Sequence, residues 1–150
     1  MKGIIKMRLH SIVKTALLVP LFLLFALSLN SCGEKEEYGV GPIKEELKLE
    51  PINDNMVKRG KEIFDMKCIA CHKFDSRLVG PPLKDVTKRR RPEWIMNQIL
   101  NPVEMAQKDP ITKELFAQYM VQMTFQDVNT LDARALLEYM RAVDENKVTP

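Results

Sequence analysis

Hydrophobic residues are arranged in two different ways along this chain. Between Thr15 and Leu29 they form a nearly unbroken run, TALLVPLFLLFALSL, interrupted by Pro20. The run is short for a membrane span, which needs about 20 apolar residues. Lys2, Lys6, Arg8 and Lys14 precede it, and residues 1–31 contain no acid. A basic stretch followed by a short apolar run predicts a secretory signal peptide over residues 1–31. An uncleaved N-terminal anchor helix is the other reading of the same pattern. Either reading puts the rest of the chain outside the cytoplasm and at a membrane.

From residue 54 onward the apolar positions are spaced for helices. Asn53 or Asp54 can cap a first helix, with Val57, Gly60, Ile63, Phe64 and Lys67 on one face. Gly80-Pro81-Pro82 cannot sit inside a helix and predicts a fixed loop. A second helix fits Arg91 or Pro92 to Leu100, with Trp94, Ile95, Gln98 and Ile99 sharing a face, and Asn101-Pro102 stops it. A third fits Ile111 to Tyr119. The last fits Thr130 to Val143, capped by Asn129, with Asp132 in a capping-box position. No alternating β-branched run and no internal repeat appears. The pattern predicts an all-α domain of about four helices over residues 54–150.

Residues 33–53 break both patterns. Their charges together with Gly39, Gly41, Pro42 and Pro51 predict a flexible tether following Cys32. Its 21 residues have a typical span of about 25 Å and an extended reach of about 70 Å.

Composition sharpens this picture in two places. Aromatic residues are only 7% of the chain against 45% hydrophobic. That is low for a self-sufficient core, and a large apolar cofactor would fill the gap. Charge is segregated. Residues 58–91 carry 11 basic against 4 acidic residues, a net +7, while residues 92–150 carry 5 against 9, a net −4. Without residues 1–31 the chain has 19 basic and 20 acidic residues, a net −1.

The basic block surrounds KCIACHKF, Lys67 to Phe74. Beyond residue 32 this triplet of Cys68, Cys71 and His72 holds the only cysteines and the only histidine. A structural zinc site needs four ligands, and the triplet offers three with no second pair. A dithiol redox pair belongs at a helix start after a strand, whereas this one ends a helix. Cys-x-x-Cys-His is the attachment spacing of a c-type haem, with the histidine turned to the iron, and export across a membrane suits that chemistry.

At this point the chain resembles the monohaem class I cytochromes c, over roughly Val57 to Val143. Gly60 and Phe64 match the family's first-helix pair, and Tyr139 the last-helix aromatic that meets it. The resemblance implies a class I cytochrome c fold around one covalently bound haem. It makes Cys68 and Cys71 the thioether positions and His72 the proximal ligand. Gly80 and Pro81 match the loop whose proline carbonyl accepts the imidazole N–H. Leu83 and Trp94 would wall the haem pocket, with Asn101-Pro102 after the tryptophan helix. The family supplies a methionine as sixth ligand from a loop before the last helix. Aligned on Leu136 and Tyr139, Met123 takes that place and Val128 the following apolar site, with Met120 as second choice. Thr124 stands where the family has proline, a departure that makes the loop less rigid. Met56, Met66, Met96, Met105 and Met140 read as core fillers. The segment LNSC, Leu29 to Cys32, resembles a bacterial lipobox, which implies lipidation of Cys32.

These resemblances imply a lipid-anchored single-electron carrier rather than an enzyme. It would sit in the bacterial cell envelope, on the periplasmic side, and serve a respiratory reductase or oxidase. The stretches NPVEMAQKDPITKEL and ALLEYMR are similar to small cytochromes that accompany nitrous-oxide-reductase systems. Glu34, Glu36 and Glu37 resemble acidic surface-export signals, which leaves the cell surface open as the other face. KRRR, Lys88 to Arg91, is either a solvated face, a haem-propionate partner or a docking patch for an acidic redox protein. Nucleic acid and small-molecule substrates are not expected. A haem-based gas sensor or weak peroxidase, which needs an opened sixth position, and a fixed haem subunit of a larger membrane complex are the competing classes.

Overall fold

The computed structural model describes residues 38–150. The expected signal peptide, Cys32 and the first residues of the expected tether lie outside the described residues. Six helices and no strand occur among those described: α1 (Asp54–Lys67), α2 (Val86–Arg89), α3 (Pro92–Leu100), α4 (Pro102–Lys108), α5 (Pro110–Tyr119) and α6 (Thr130–Asp144). None of them is long and apolar enough to cross a membrane.

The most extensive helix pairing joins α1 to α6. The Asn53 side chain accepts the Met56 N–H at 3.1 Å and starts α1. Asp54 in its first turn and Lys67 in its last complement the helix dipole. Asn129 starts α6 in the same way, accepting the Asp132 N–H at 2.9 Å. Val57, Gly60, Ile63 and Phe64 of α1 are buried against a face of α6 that includes Ala135, Leu136 and Tyr139. Contact at Gly60 is very close. A Cβ there would overlap the Ala135 carbonyl and stand 2.8 Å from Tyr139 Cβ. Phe64, Phe74 and Tyr139 form an aromatic triangle, with centroids 5.3 to 5.6 Å apart.

Two helices exceed the expected four, each for a physical reason. Asn101-Pro102 does stop α3, with the Asn101 N–H on the Asn97 carbonyl at 2.8 Å. But Pro102 also occupies the first turn of α4, where its fixed φ and missing N–H cost nothing. The single turn of α2 depends on a distant residue. Asp144 of α6 accepts from the Asp85 N–H at 2.6 Å, the Thr87 N–H at 2.9 Å and the Thr87 hydroxyl at 2.6 Å. No local signal carries that contact.

Much of the expected flexible tether is fixed. Residues 38–52 run as an irregular strap along α3 and α4. Buried Asn97 accepts the Ile43 N–H at 2.9 Å and donates to the carbonyls of Tyr38 at 2.8 Å and Ile43 at 2.9 Å. Buried Glu93 accepts the Leu47 N–H at 2.6 Å, and Met105 Sδ the Val40 N–H at 2.9 Å. Arg141 holds the far end through the Glu50 carbonyl at 3.2 Å. Val40, Ile43, Leu47 and Ile52 pack against the core. Gly39 and Gly41, which suggested flexibility, instead allow close approach. A Cβ on Gly39 would come within 2.7 Å of the Met105 sulfur, and one on Gly41 would overlap the Asn97 amide. The methionines divide as well: Met96, Met105 and Met140 are buried, Met56 is half-buried, and Met66 is 73% exposed and fills no core.

Asn97→Ala removes three bonds to the strap and should cost about 1–3 kcal/mol, the usual penalty for stranding buried polar groups. Denaturant unfolding measures the loss. Trypsin should then cut at Lys44 or Lys48 in the variant well before it cuts the parent. Equal cleavage rates would mean that the strap is not held there.

Candidate functional site

The end of α1 turns back on itself through the Cys-x-x-Cys-His triplet. The N–H groups of Cys68 and Ile69 both reach the Phe64 carbonyl, at 2.8 and 3.0 Å. Those of Cys71 and His72 both reach the Cys68 carbonyl, at 3.0 and 2.9 Å. This tight turn puts Cys68, Cys71 and His72 together on the wall of a cavity of about 520 Å³. Cavities of about 300–1,000 Å³ hold small molecules and cofactors.

The loop after the triplet fixes the imidazole. The Gly80 N–H donates to the Cys71 carbonyl at 2.9 Å, and the Leu83 N–H to the Lys73 carbonyl at 2.9 Å. Gly80 thereby lies flat on His72, and a Cβ there would stand 2.6 Å from the ring's Cε1. His72 Nδ1 lies 3.1 Å from the Pro81 carbonyl. A carbonyl only accepts, so Nδ1 carries the proton and Nε2 keeps its lone pair. Burial pushes the ring below its ordinary value of 6.5, against the weaker opposing effect of the Pro81 bond. The imidazole is therefore neutral at neutral pH, the state a metal ligand needs. Burial likewise pushes the Cys68 thiol up to about 11, partly offset by the adjacent Lys67 charge.

Leu83 and Trp94 line the same cavity, as do Gly80, Pro81 and Met123. Trp94 is 4% exposed, and its indole N–H donates to Asp109 Oδ1 at 3.2 Å. Met120 is placed elsewhere. It ends α5 in a left-handed conformation, φ 56°, and is 78% exposed. The loop carrying Met123 has no regular structure, yet it is tied down. Lys67 donates to the carbonyls of Gln126 at 2.9 Å and Asp127 at 3.2 Å, and Val128 is buried.

KRRR does not form one solvated face. Lys88 pairs with Asp85 at 2.7 Å, and Arg91 with buried Glu93 at 3.2 Å. Arg89 donates to the Lys84 carbonyl, and the Arg90 guanidinium lies 5.5 Å from the Trp94 ring centroid. Arg89 and Arg90 both line the cavity. Sequence reasoning did not single out Asp109, Gln98 or Thr112 for the site. Only the spacing of Gln98 four residues after Trp94 hinted that it faces inward.

The cytochrome c family profile matches residues 57–144. The chain belongs to that family. Among solved structures, a cytochrome c from Rhodothermus marinus is 42% identical, with a TM-score of 0.71. The match covers 75% of this chain and 99% of that one. An engineered form of the Rhodothermus cytochrome, bound to a carbene intermediate, is also 42% identical with a TM-score of 0.66, covering 75% of this chain and 96% of that one. The cytochrome c domain of the pp3183 protein from Pseudomonas putida is 28% identical, with a TM-score of 0.51, covering 57% and 88%. No curated protein matches.

As a class I cytochrome c with one Cys-x-x-Cys-His, this protein is a monohaem electron carrier whose haem c is covalently bound. The residues present fit that group. The cavity is walled mainly by apolar side chains, the two thiols sit at its wall, and a neutral imidazole keeps one nitrogen unprotonated. Gly80→Ala should force the His72 ring to move and cost about 1–3 kcal/mol, as overpacking does. Denaturant unfolding of the haem-loaded protein checks this, and a loss below about 0.5 kcal/mol, the size of an ordinary surface substitution, would show that the ring is not held by Gly80.

Proposed function

We propose that this cytochrome is a lipid-anchored carrier in a bacterial cell envelope, passing single electrons to a respiratory reductase or oxidase. One observation carries the electron-transfer part of the reading: His72 and Met123 line the same cavity as Cys68 and Cys71, while Met120 faces solvent. In this reading Cys68 and Cys71 form the thioethers, His72 Nε2 is the proximal ligand and Met123 Sδ the distal one. The bound haem supplies one-electron iron chemistry. Two ligands from the chain leave no coordination position for a substrate, which argues for transfer through the porphyrin edge and against enzymatic turnover. Thioether ligation favours the ferrous state and raises the potential.

Treatment with acid acetone should leave the haem on the polypeptide, and free extraction would end the thioether assignment. Met123→Ala should abolish the weak charge-transfer band of a ferric iron–thioether bond and lower the potential. Met120→Ala should leave both as they are. The reverse result would move the role to Met120.

Cys32, as the lipidated residue, anchors the domain on the periplasmic side. The strap changes the arithmetic of that anchor. Only five residues separate Cys32 from Tyr38, which is already part of the packed strap. Their extended reach is about 20 Å, not the about 70 Å of an unpacked tether. The partner therefore lies close to the membrane surface, and a fixed haem subunit of a membrane complex gains weight from the same observation. Co-purification of a redox protein after mild detergent separates the fixed subunit from the mobile carrier. The resemblance of residues 101–141 favours nitrous oxide reductase as the acceptor. A gas-sensing or weakly peroxidatic site draws on exposed Thr124 in place of the family proline, and a missing thioether–iron band in the parent protein would favour it.

The cavity rim carries Lys67, Arg89 and Arg90, which suits an acidic docking surface. Rim charges act mainly on association rate, by about 10- to 1,000-fold at low salt. Screening leaves a Debye length of about 8 Å at about 0.15 M. Arg89→Gln with Arg90→Gln should slow electron transfer to the acceptor at low ionic strength, with the difference shrinking as salt rises. The potential should also fall, because Arg90 lies at the cavity itself. A rate loss independent of salt would reject docking by these charges.

A further inference from the structure

Gln98 faces the cavity from α3, one turn after Trp94. Its amide Nε2 lies 3.8 Å from Met123 Sδ, within reach of an N–H···S bond. Its Oε1 lies 2.8 Å from the Thr112 hydroxyl, and that hydroxyl is also 2.9 Å from Asp109 Oδ1. Thr112 and Asp109 are both buried.

A hydroxyl has one proton to give, so the two acceptors compete for it. Asp109 Oδ1 already receives the Trp94 indole N–H at 3.2 Å and the Thr112 backbone N–H at 2.7 Å. The hydroxyl proton is thus free to turn to Gln98 Oε1. An amide that accepts at its oxygen presents its N–H at the other end, toward Met123.

We propose that Gln98 is a positioning residue for Met123, donating an N–H to its thioether sulfur. The inference rests on Met123 as sixth ligand. Thioether sulfur has two lone pairs, so ligation of a metal leaves the second for this donor. The bond has two consequences. It restrains a side chain on a loop without regular structure, in which Thr124 replaces the family proline. It also draws electron density from the sulfur, which disfavours the ferric state relative to the ferrous, as a hydrogen bond donated to a ligating sulfur does. Asp109, Thr112 and Trp94 are then the support that sets which end of the Gln98 amide meets the sulfur.

The test uses the haem-loaded protein. Gln98→Leu keeps bulk and removes the donor. Its potential should fall, its ferric thioether–iron band should weaken, and imidazole should bind the ferric form about 2- to 10-fold more tightly, the change one ordinary hydrogen bond makes. Thr112→Val, which frees the amide to rotate, should move all three in the same direction by less. Thr112→Ser should restore the parent values. A purely structural role would lower the unfolding midpoint and leave potential, band and imidazole affinity unchanged, and that result overturns the proposal. If the parent protein lacks the thioether–iron band, the ligand assignment falls together with this inference. If the parent has the band and Gln98→Leu does not alter it, only the inference falls.

Discussion

The absence of a side chain at Gly60 sets the geometry on which the rest depends. It lets α1 settle onto the Ala135 carbonyl of α6, closer than any Cβ would permit. The separation of these helices fixes where α1 ends. Four residues after Gly60, Phe64 supplies the carbonyl on which Cys68 and Ile69 close the turn. Phe64 is also held in the triangle with Phe74 and Tyr139. The haem-binding triplet is therefore placed by helix packing rather than by its own loop. His72 then needs only the Gly80–Pro81 turn to fix its plane and its tautomer.

The Met123 side of the cavity is held by weaker means. Met123 has no helix under it, and its loop is tied by Lys67 at two carbonyls and by the burial of Val128. The cavity thus has a rigid wall at His72 and a softer one at Met123. Buried Asp109 and Thr112 and half-buried Gln98 would cost stability if left unpaired. Their mutual bonds remove that cost and orient Trp94 against the same cavity.

The strap adds a constraint from outside the family's core. It covers Asn97 and Glu93 and satisfies both with backbone groups.

The sequence by itself determined the class of chemistry and most of the helices. Cys68, Cys71 and His72 are adjacent in the chain, and attachment is a local geometry, so their spacing was legible. Caps at Asn53 and Asn129 and the apolar periods of α1, α3 and α6 are likewise local. Tertiary structure decided what depends on distant pairs. The turn of α2 exists because Asp144 caps it, and α4 because Pro102 starts a helix as readily as it ends one. Gly39 and Gly41 look the same in a flexible linker as in a packed strap. Only the presence of Met105 and Asn97 opposite them distinguishes the two. The contact of Gln98 with Met123 and the bonds of Thr112 and Asp109 behind it had no signature in the chain. They arise where α3, α5 and the loop before α6 converge, and convergence of distant segments is what a linear pattern cannot encode.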